Sequence, residues 1–121
     1  MRGCLARLRL NGGNCGFVTT ITAEASLASG RVCLRLESQC PHVCRLAAAL
    51  PPLDPLQELS YRGDGPEALR LAREYLPHTA CPVPIGILKA LEVSAGLALP
   101  HKVTLEFCQN QKTRRNSHAA W

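Results

Sequence analysis

Three cysteines of this chain stand at positions where a sulfur atom can act as a ligand. Cys40 and Cys81 each precede a proline that opens an apolar segment with helical periodicity, and Cys15 precedes a glycine in a glycine-rich turn. Proline is favoured at the first position of a helix, so we expect Cys40 and Cys81 at or beside helix N-termini. The free N–H groups and the helix dipole there favour a thiolate over a thiol. The three cysteines therefore predict one site for a metal ion or an iron-sulfur cluster.

Three more residues are candidate metal ligands because they lie close to these cysteines. Cys44 follows Cys40 by one helical turn, so it is either a fourth sulfur ligand or a core residue beside the site. His42 and His78 are close in sequence to Cys40 and Cys81, and imidazole often joins thiolates at zinc or iron. The alternative for both is a surface histidine without a role. The remaining cysteines, in strand-like stretches, are interpreted as small apolar residues: Cys4, Cys33 and Cys108.

Composition limits the kinds of partner that we expect. The chain has 121 residues, a net charge of +5 from scattered basic residues, and only 4% aromatic residues. It carries no nucleic-acid-binding motif and no run near the ~20 apolar residues of a membrane span, so we expect neither partner. Residues 1–15 lack the apolar stretch of a signal peptide. We therefore expect a cytoplasmic, reducing setting, where seven cysteines are ligands or redox thiols rather than a disulfide framework.

The elements that must position these residues follow from the apolar periodicity. Alternation predicts strands over residues 4–10, 17–23 and 31–38, and a last short strand over residues 103–107. Helical spacing predicts one helix from Pro41 and another from Pro82 to about Ala95. Between them, Asp54 caps a short turn and a further helix follows Gly65. The inward faces of the last two helices are predicted to hold Leu69, Ala72 and Tyr75 or Leu76, and then Ile85, Leu88, Leu91 and Ala95.

These elements predict an α+β fold with a three-stranded antiparallel sheet followed by helices packed on one face, plus a short C-terminal strand. We expect residues 1–108 to form a single domain. Residues 109–121 are polar and aperiodic, which predicts a disordered tail.

In this order of elements the chain resembles the iron-sulfur cluster assembly scaffolds, the NifU N-terminal or IscU-like family. That family carries one cysteine in a Cys-Gly loop between strands, one that opens a helix after the third strand and one that opens the last long helix, and these positions match Cys15, Cys40 and Cys81. The resemblance covers about residues 4–96 and implies a cluster scaffold or carrier with a cluster donor or recipient protein as partner. Two positions depart from the family pattern. Phe17 stands where the family has an aspartate, and Ala80 stands where a histidine commonly precedes the third cysteine.

Two other functions stay open at this point. The first is a thiol-based redox or nucleophilic enzyme in which Cys40 or Cys81 is the reactive group. The second is a structural zinc module, which a fourth ligand at Cys44 would favour. The leading hypothesis remains a protein that binds a metal or cluster, without catalytic residues of its own.

Overall fold

The computed structural model describes residues 5–108, and the predicted α+β fold is confirmed. A three-stranded antiparallel sheet comes first, and helices follow it. The strands are β1 (Leu5–Asn11), β2 (Val18–Ala25) and β3 (Val32–Ser38). The helices are α1 (Pro41–Ala49), α2 (Pro55–Glu58), α3 (Glu67–Tyr75) and α4 (Val83–Ser94). No helix among the described residues is long and apolar enough to cross a membrane.

The sheet buries one face because its strands alternate apolar and polar residues. Strand order is β1-β2-β3, so β2 pairs with both neighbours. Ala6, Ile21 and Ala23 are buried. On the opposite face Arg7, Thr22 and Arg35 are cross-strand neighbours, with both arginines exposed. The helices therefore pack on one face, as the alternation predicts.

Helix α4 packs against the sheet through a face that periodicity identified only in part, since the predicted Leu88 packs against the core. The predicted inward residue Ile85 is 56% exposed, whereas Ile87 is fully buried. Gly86 faces the sheet, where an added Cβ would collide with the Leu10 side chain and lie 3.0 Å from Ile21 Cδ1. Because α4 is apolar around most of its circumference, the missing side chain at Gly86 decides which face approaches the sheet. Among the predicted inward residues, Leu91 is indeed buried.

Helix α3 also matches its predicted face only in part, since the predicted Tyr75 and Leu76 pack against the core. Its buried residues are Ala68 and Leu71, whereas the predicted Leu69 is only partly buried. The helix N-terminus is fixed by the buried carboxylate of Glu58, which accepts hydrogen bonds from the backbone N–H groups of Glu67 and Ala68 at 2.8 Å each. The short helix α2 begins as predicted after Asp54, whose Oδ1 accepts the Leu56 N–H at 3.1 Å.

The predicted last strand over residues 103–107 is not confirmed. Val103, Leu105 and Phe107 alternate as expected of a strand, but all three are exposed and none belongs to the sheet. A strand requires hydrogen bonds to a partner, which an alternating sequence does not itself supply. The predicted tail, residues 109–121, lies outside the described residues.

Candidate metal centre

Cys15 lies in a tight loop between β1 and β2. The loop is closed by two backbone hydrogen bonds, from Gly12 N to Phe17 O and from Gly16 N to Gly13 O, each 2.9 Å long. Gly13 and Gly16 have φ values of 84° and 74°, a region that favours glycine. The exposed Cys15 thiol lies against Gly12, where any Cβ would collide with its sulfur. The glycines thus allow the loop to present Cys15 to solvent, as the sequence predicts.

Cys40 occupies the N-cap of α1, with Pro41 as the first helical residue. This confirms the position predicted from the Cys-Pro pair. Its side chain makes no capping hydrogen bond, and the residue is half-buried against the core. Its own backbone N–H donates to the Ser38 hydroxyl at 3.1 Å.

Cys81 lies beside the helix N-terminus as predicted, although the helix begins one residue later than expected. The N-cap of α4 is Pro82, and the helix begins at Val83, so Cys81 precedes the cap. Pro84 supplies the proline within the first turn. Cys81 is half-buried and packs against the core.

Sheet register places Cys15 and Cys40 at the same end of the sheet. The last β1–β2 pair is Asn11 with Val18, and the adjoining β2–β3 pair is Thr19 with Ser38. The loop with Cys15 therefore extends from the end at which β3 finishes. Cys40 follows two residues after that finish.

Helix α4 brings Cys81 to this end as well. Early in the helix, Gly86 contacts Leu10, the penultimate residue of β1. The last turn of α4 lies at the opposite end of the sheet, where Ser94 borders a cavity of about 530 Å³ with Gly30 of the β2–β3 turn. The helix therefore runs from the cysteine end to the other end, with Cys81 before its start.

The electrostatics of Cys81 differ from the expectation for a thiol beside a helix N-terminus. Burial raises the pKa of the Cys81 thiol above its ordinary value, and negative charge on the nearby Cys40 and Cys15 thiols raises it further. The Val83 backbone N–H acts in the opposite direction but does not outweigh burial. The prediction that the helix N-terminus favours a thiolate at Cys81 is therefore wrong for the metal-free protein. The three thiols thus influence one another electrostatically, as expected for side chains at the same end of the sheet.

The other three candidate ligands make different contacts. Cys44 is exposed and its thiol donates to the Ser38 carbonyl oxygen at 3.2 Å. His42 Nδ1 lies 2.6 Å from the Arg45 guanidinium, which can only donate, so the neutral ring carries its proton on Nε2. A metal bond through either nitrogen would disturb that arrangement. His78 is exposed in the segment between α3 and α4.

The three cysteines lie at the same end of the sheet, but their side chains do not form a complete metal site. Within residues 5–108, no three His, Cys, Asp or Glu side chains already lie close enough together to hold a metal ion. Soft thiolate donors suit zinc, iron and iron-sulfur clusters. The donor set therefore fits such a group chemically, although its side chains are not arranged around one point.

Cys33 and Cys108 are not core residues, contrary to their interpretation as small apolar side chains. Both are exposed, and Cys33 lies at the other end of β3 from Ser38. Cys4 lies outside the described residues.

Two residues beside the site were missed from the sequence. Thr19, which is only 1% exposed, donates its hydroxyl hydrogen bond to Ser38 at 2.9 Å. The sequence signal for Thr19 and Ser38 is that each is a polar residue at a strand position where the alternation predicts an inward side chain. A buried polar group needs a hydrogen-bond partner.

The chain belongs to a family of unknown function, DUF6951, whose model matches residues 6–107. No curated protein matches the chain, and neither does any solved structure. The chemistry of the site must therefore carry any assignment of function.

Proposed function

We propose that this protein binds an iron-sulfur cluster, or a single zinc or iron ion, through Cys15, Cys40 and Cys81. The observation that supports the proposal is the meeting of three cysteine-bearing segments at one end of the sheet. These segments are separated by more than twenty residues in sequence, so their meeting follows from the fold and not from local spacing.

The chemistry of the neighbourhood suits a soft, positively charged group. Binding requires thiolates, so Cys81 releases its proton when the group binds. The bound group is positively charged, so it attracts all three thiolates and outweighs the repulsion between them. Free N–H groups in the first turn of α1, behind Cys40, offset part of the remaining negative charge.

A carrier or scaffold role is the form of this function that we favour. Three cysteines leave a coordination position for an external ligand, which suits transfer from a donor or to a recipient protein. The resemblance to the NifU N-terminal and IscU-like scaffolds supports this form, whereas Phe17, in place of their aspartate, distinguishes this chain from them. We propose that the protein acts in the reducing cytoplasm without a nucleic-acid or membrane partner.

The raised pKa of Cys81 does not favour the alternative of a thiol enzyme with Cys81 as its reactive group. Nucleophilic cysteines require a thiolate near neutral pH, and burial at Cys81 works against it.

The decisive measurement is the content of iron, zinc and acid-labile sulfide in protein purified without oxygen, together with its absorption spectrum. We expect stoichiometric metal in the wild type, and its loss in each of Cys15→Ser, Cys40→Ser and Cys81→Ser. Iron with sulfide identifies a cluster, whereas zinc alone indicates a structural or regulatory site.

Cys33→Ser is the matched control, because it removes an exposed thiol at the far end of β3. It should retain the wild-type metal content. Metal retained in all three site variants, or no metal in the wild type after reconstitution with iron and sulfide or with zinc, contradicts the proposal.

A further inference from the structure

We propose that Ser38 is a positioning residue that fixes Cys40 at the metal site and holds Cys44 outside it. The proposal rests on the proposed function for the identity of the site, but the contacts of Ser38 exist without any metal. Ser38 is the last residue of β3 and lies two residues before Cys40. It therefore joins the sheet directly to the start of α1.

The Ser38 hydroxyl oxygen fixes the backbone of Cys40. It accepts the Cys40 N–H at 3.1 Å, which orients the peptide immediately before the N-cap. The Cys40 side chain offers no such restraint, since it makes no capping hydrogen bond. The direction in which the Cys40 sulfur leaves the backbone thus depends on a neighbour in the strand.

That neighbour is itself anchored in the core. Thr19 pairs with Ser38 across the sheet, and its hydroxyl donates to the Ser38 hydroxyl oxygen at 2.9 Å. Thr19 is only 1% exposed, so water does not compete for this hydrogen bond. A continuous connection therefore runs from buried Thr19 through Ser38 to Cys40.

The Ser38 carbonyl makes the second contact that matters to the site. It accepts the Cys44 thiol proton at 3.2 Å, so Cys44 is engaged as a protonated thiol. To become a ligand, Cys44 would have to break this contact and turn its sulfur away from the carbonyl, a contact that none of the three proposed cysteine ligands makes among the described hydrogen bonds. We infer that the protein supplies three sulfur ligands and that Cys44→Ser retains the wild-type metal stoichiometry.

The test compares Ser38→Ala, Ser38→Thr and Thr19→Val with the wild type. Zinc affinity, measured by competition with a chromophoric chelator, should fall about 10- to 100-fold in Ser38→Ala, the range seen when a residue supporting a metal ligand is lost. Ser38→Thr keeps the hydroxyl and should restore most of the affinity. Thr19→Val removes only the anchor and should give an intermediate loss.

A second readout needs no metal. In metal-free protein, mass spectrometry follows the alkylation rate of Cys40, with Cys33 of the same molecule as the reference. We expect Ser38→Ala to change the ratio of the two rates by at least about twofold, because the constraint at Cys40 is lost and Cys33 is remote. Ser38→Thr should return the ratio to the wild-type value.

The outcomes separate this proposal from the metal assignment. If the wild type binds zinc and Ser38→Ala binds it equally well, the positioning role is overturned. If the wild type binds no metal, the proposed function fails, and the alkylation ratio alone decides whether Ser38 orients Cys40. If Ser38→Ala does not fold, the zinc affinity and alkylation ratio of Thr19→Val decide: wild-type values in both overturn the proposal. Loss of stoichiometry in Cys44→Ser would overturn the three-ligand inference.

Discussion

The buried carboxylate of Glu58 accepts the backbone N–H of Ala68 at 2.8 Å, across a gap of ten residues. Its second oxygen accepts the adjacent N–H at the start of α3, so one side chain satisfies two donors that a helix leaves without partners. Glu58→Gln keeps the size but replaces one acceptor oxygen with an NH₂ group. We expect this change to lower the free energy of unfolding by about 1–3 kcal/mol.

Urea denaturation followed by circular dichroism measures this loss, with Glu24→Gln as the control. Glu24 is an exposed residue of β2, and its substitution should leave the midpoint nearly unchanged. Equal midpoints for the two variants would mean that Glu58 does not hold α3.

Ile85 and Ile87 give a direct test of the face that α4 presents to the sheet. Ile87→Ala empties a fully buried position and should cost about 2–5 kcal/mol of unfolding free energy. Ile85→Ala, at a side chain that is 56% exposed, should cost less than about 1 kcal/mol. The same denaturation experiment compares the two variants. A larger loss of unfolding free energy in Ile85→Ala would mean that α4 packs through the face expected from periodicity.

The raised pKa of Cys81 predicts how this thiol responds to pH. In metal-free protein, the alkylation rate of Cys81 should reach half its plateau at a higher pH than in urea-unfolded protein. Because the folded pKa lies above the unfolded one, the protonated thiol stabilises the fold. This stabilisation is complete below the unfolded pKa and is lost as the pH rises through the folded pKa.

Cys40→Ser should lower the Cys81 midpoint, since it removes a neighbouring negative charge. A Cys81 midpoint at or below that of the unfolded chain would contradict the dominance of burial.

The sheet was predictable because its signal is local and binary. Alternating residues such as Arg7 and Arg35 mark the exposed face, and the strand bounds followed to within about two residues. The last predicted strand shows the limit of that signal. Phe107 alternates with polar neighbours, but alternation does not say whether a partner strand is adjacent.

Helix faces were less predictable because they depend on what packs against them. In α4 the decisive residue is Gly86, which periodicity treats as a gap and the structure uses for close approach to Leu10. The candidate site likewise has features that the sequence predicts and features that depend on tertiary packing. Proline after Cys40 identified a helix start, whereas the burial that raises the Cys81 pKa arises only from tertiary packing.

Three segments far apart in the chain meet at one end of the sheet, and this order has a consequence during synthesis. Cys15 and Cys40 leave the ribosome well before α4, whose packing on β1 brings Cys81 beside them. Sheet pairing alone brings Cys15 and Cys40 to this end, whereas Cys81 reaches it only after the last helix has docked. A thiol-specific crosslinker between Cys15 and Cys81 would therefore trap only molecules in which this helix has docked and would report when a newly made chain completes its fold.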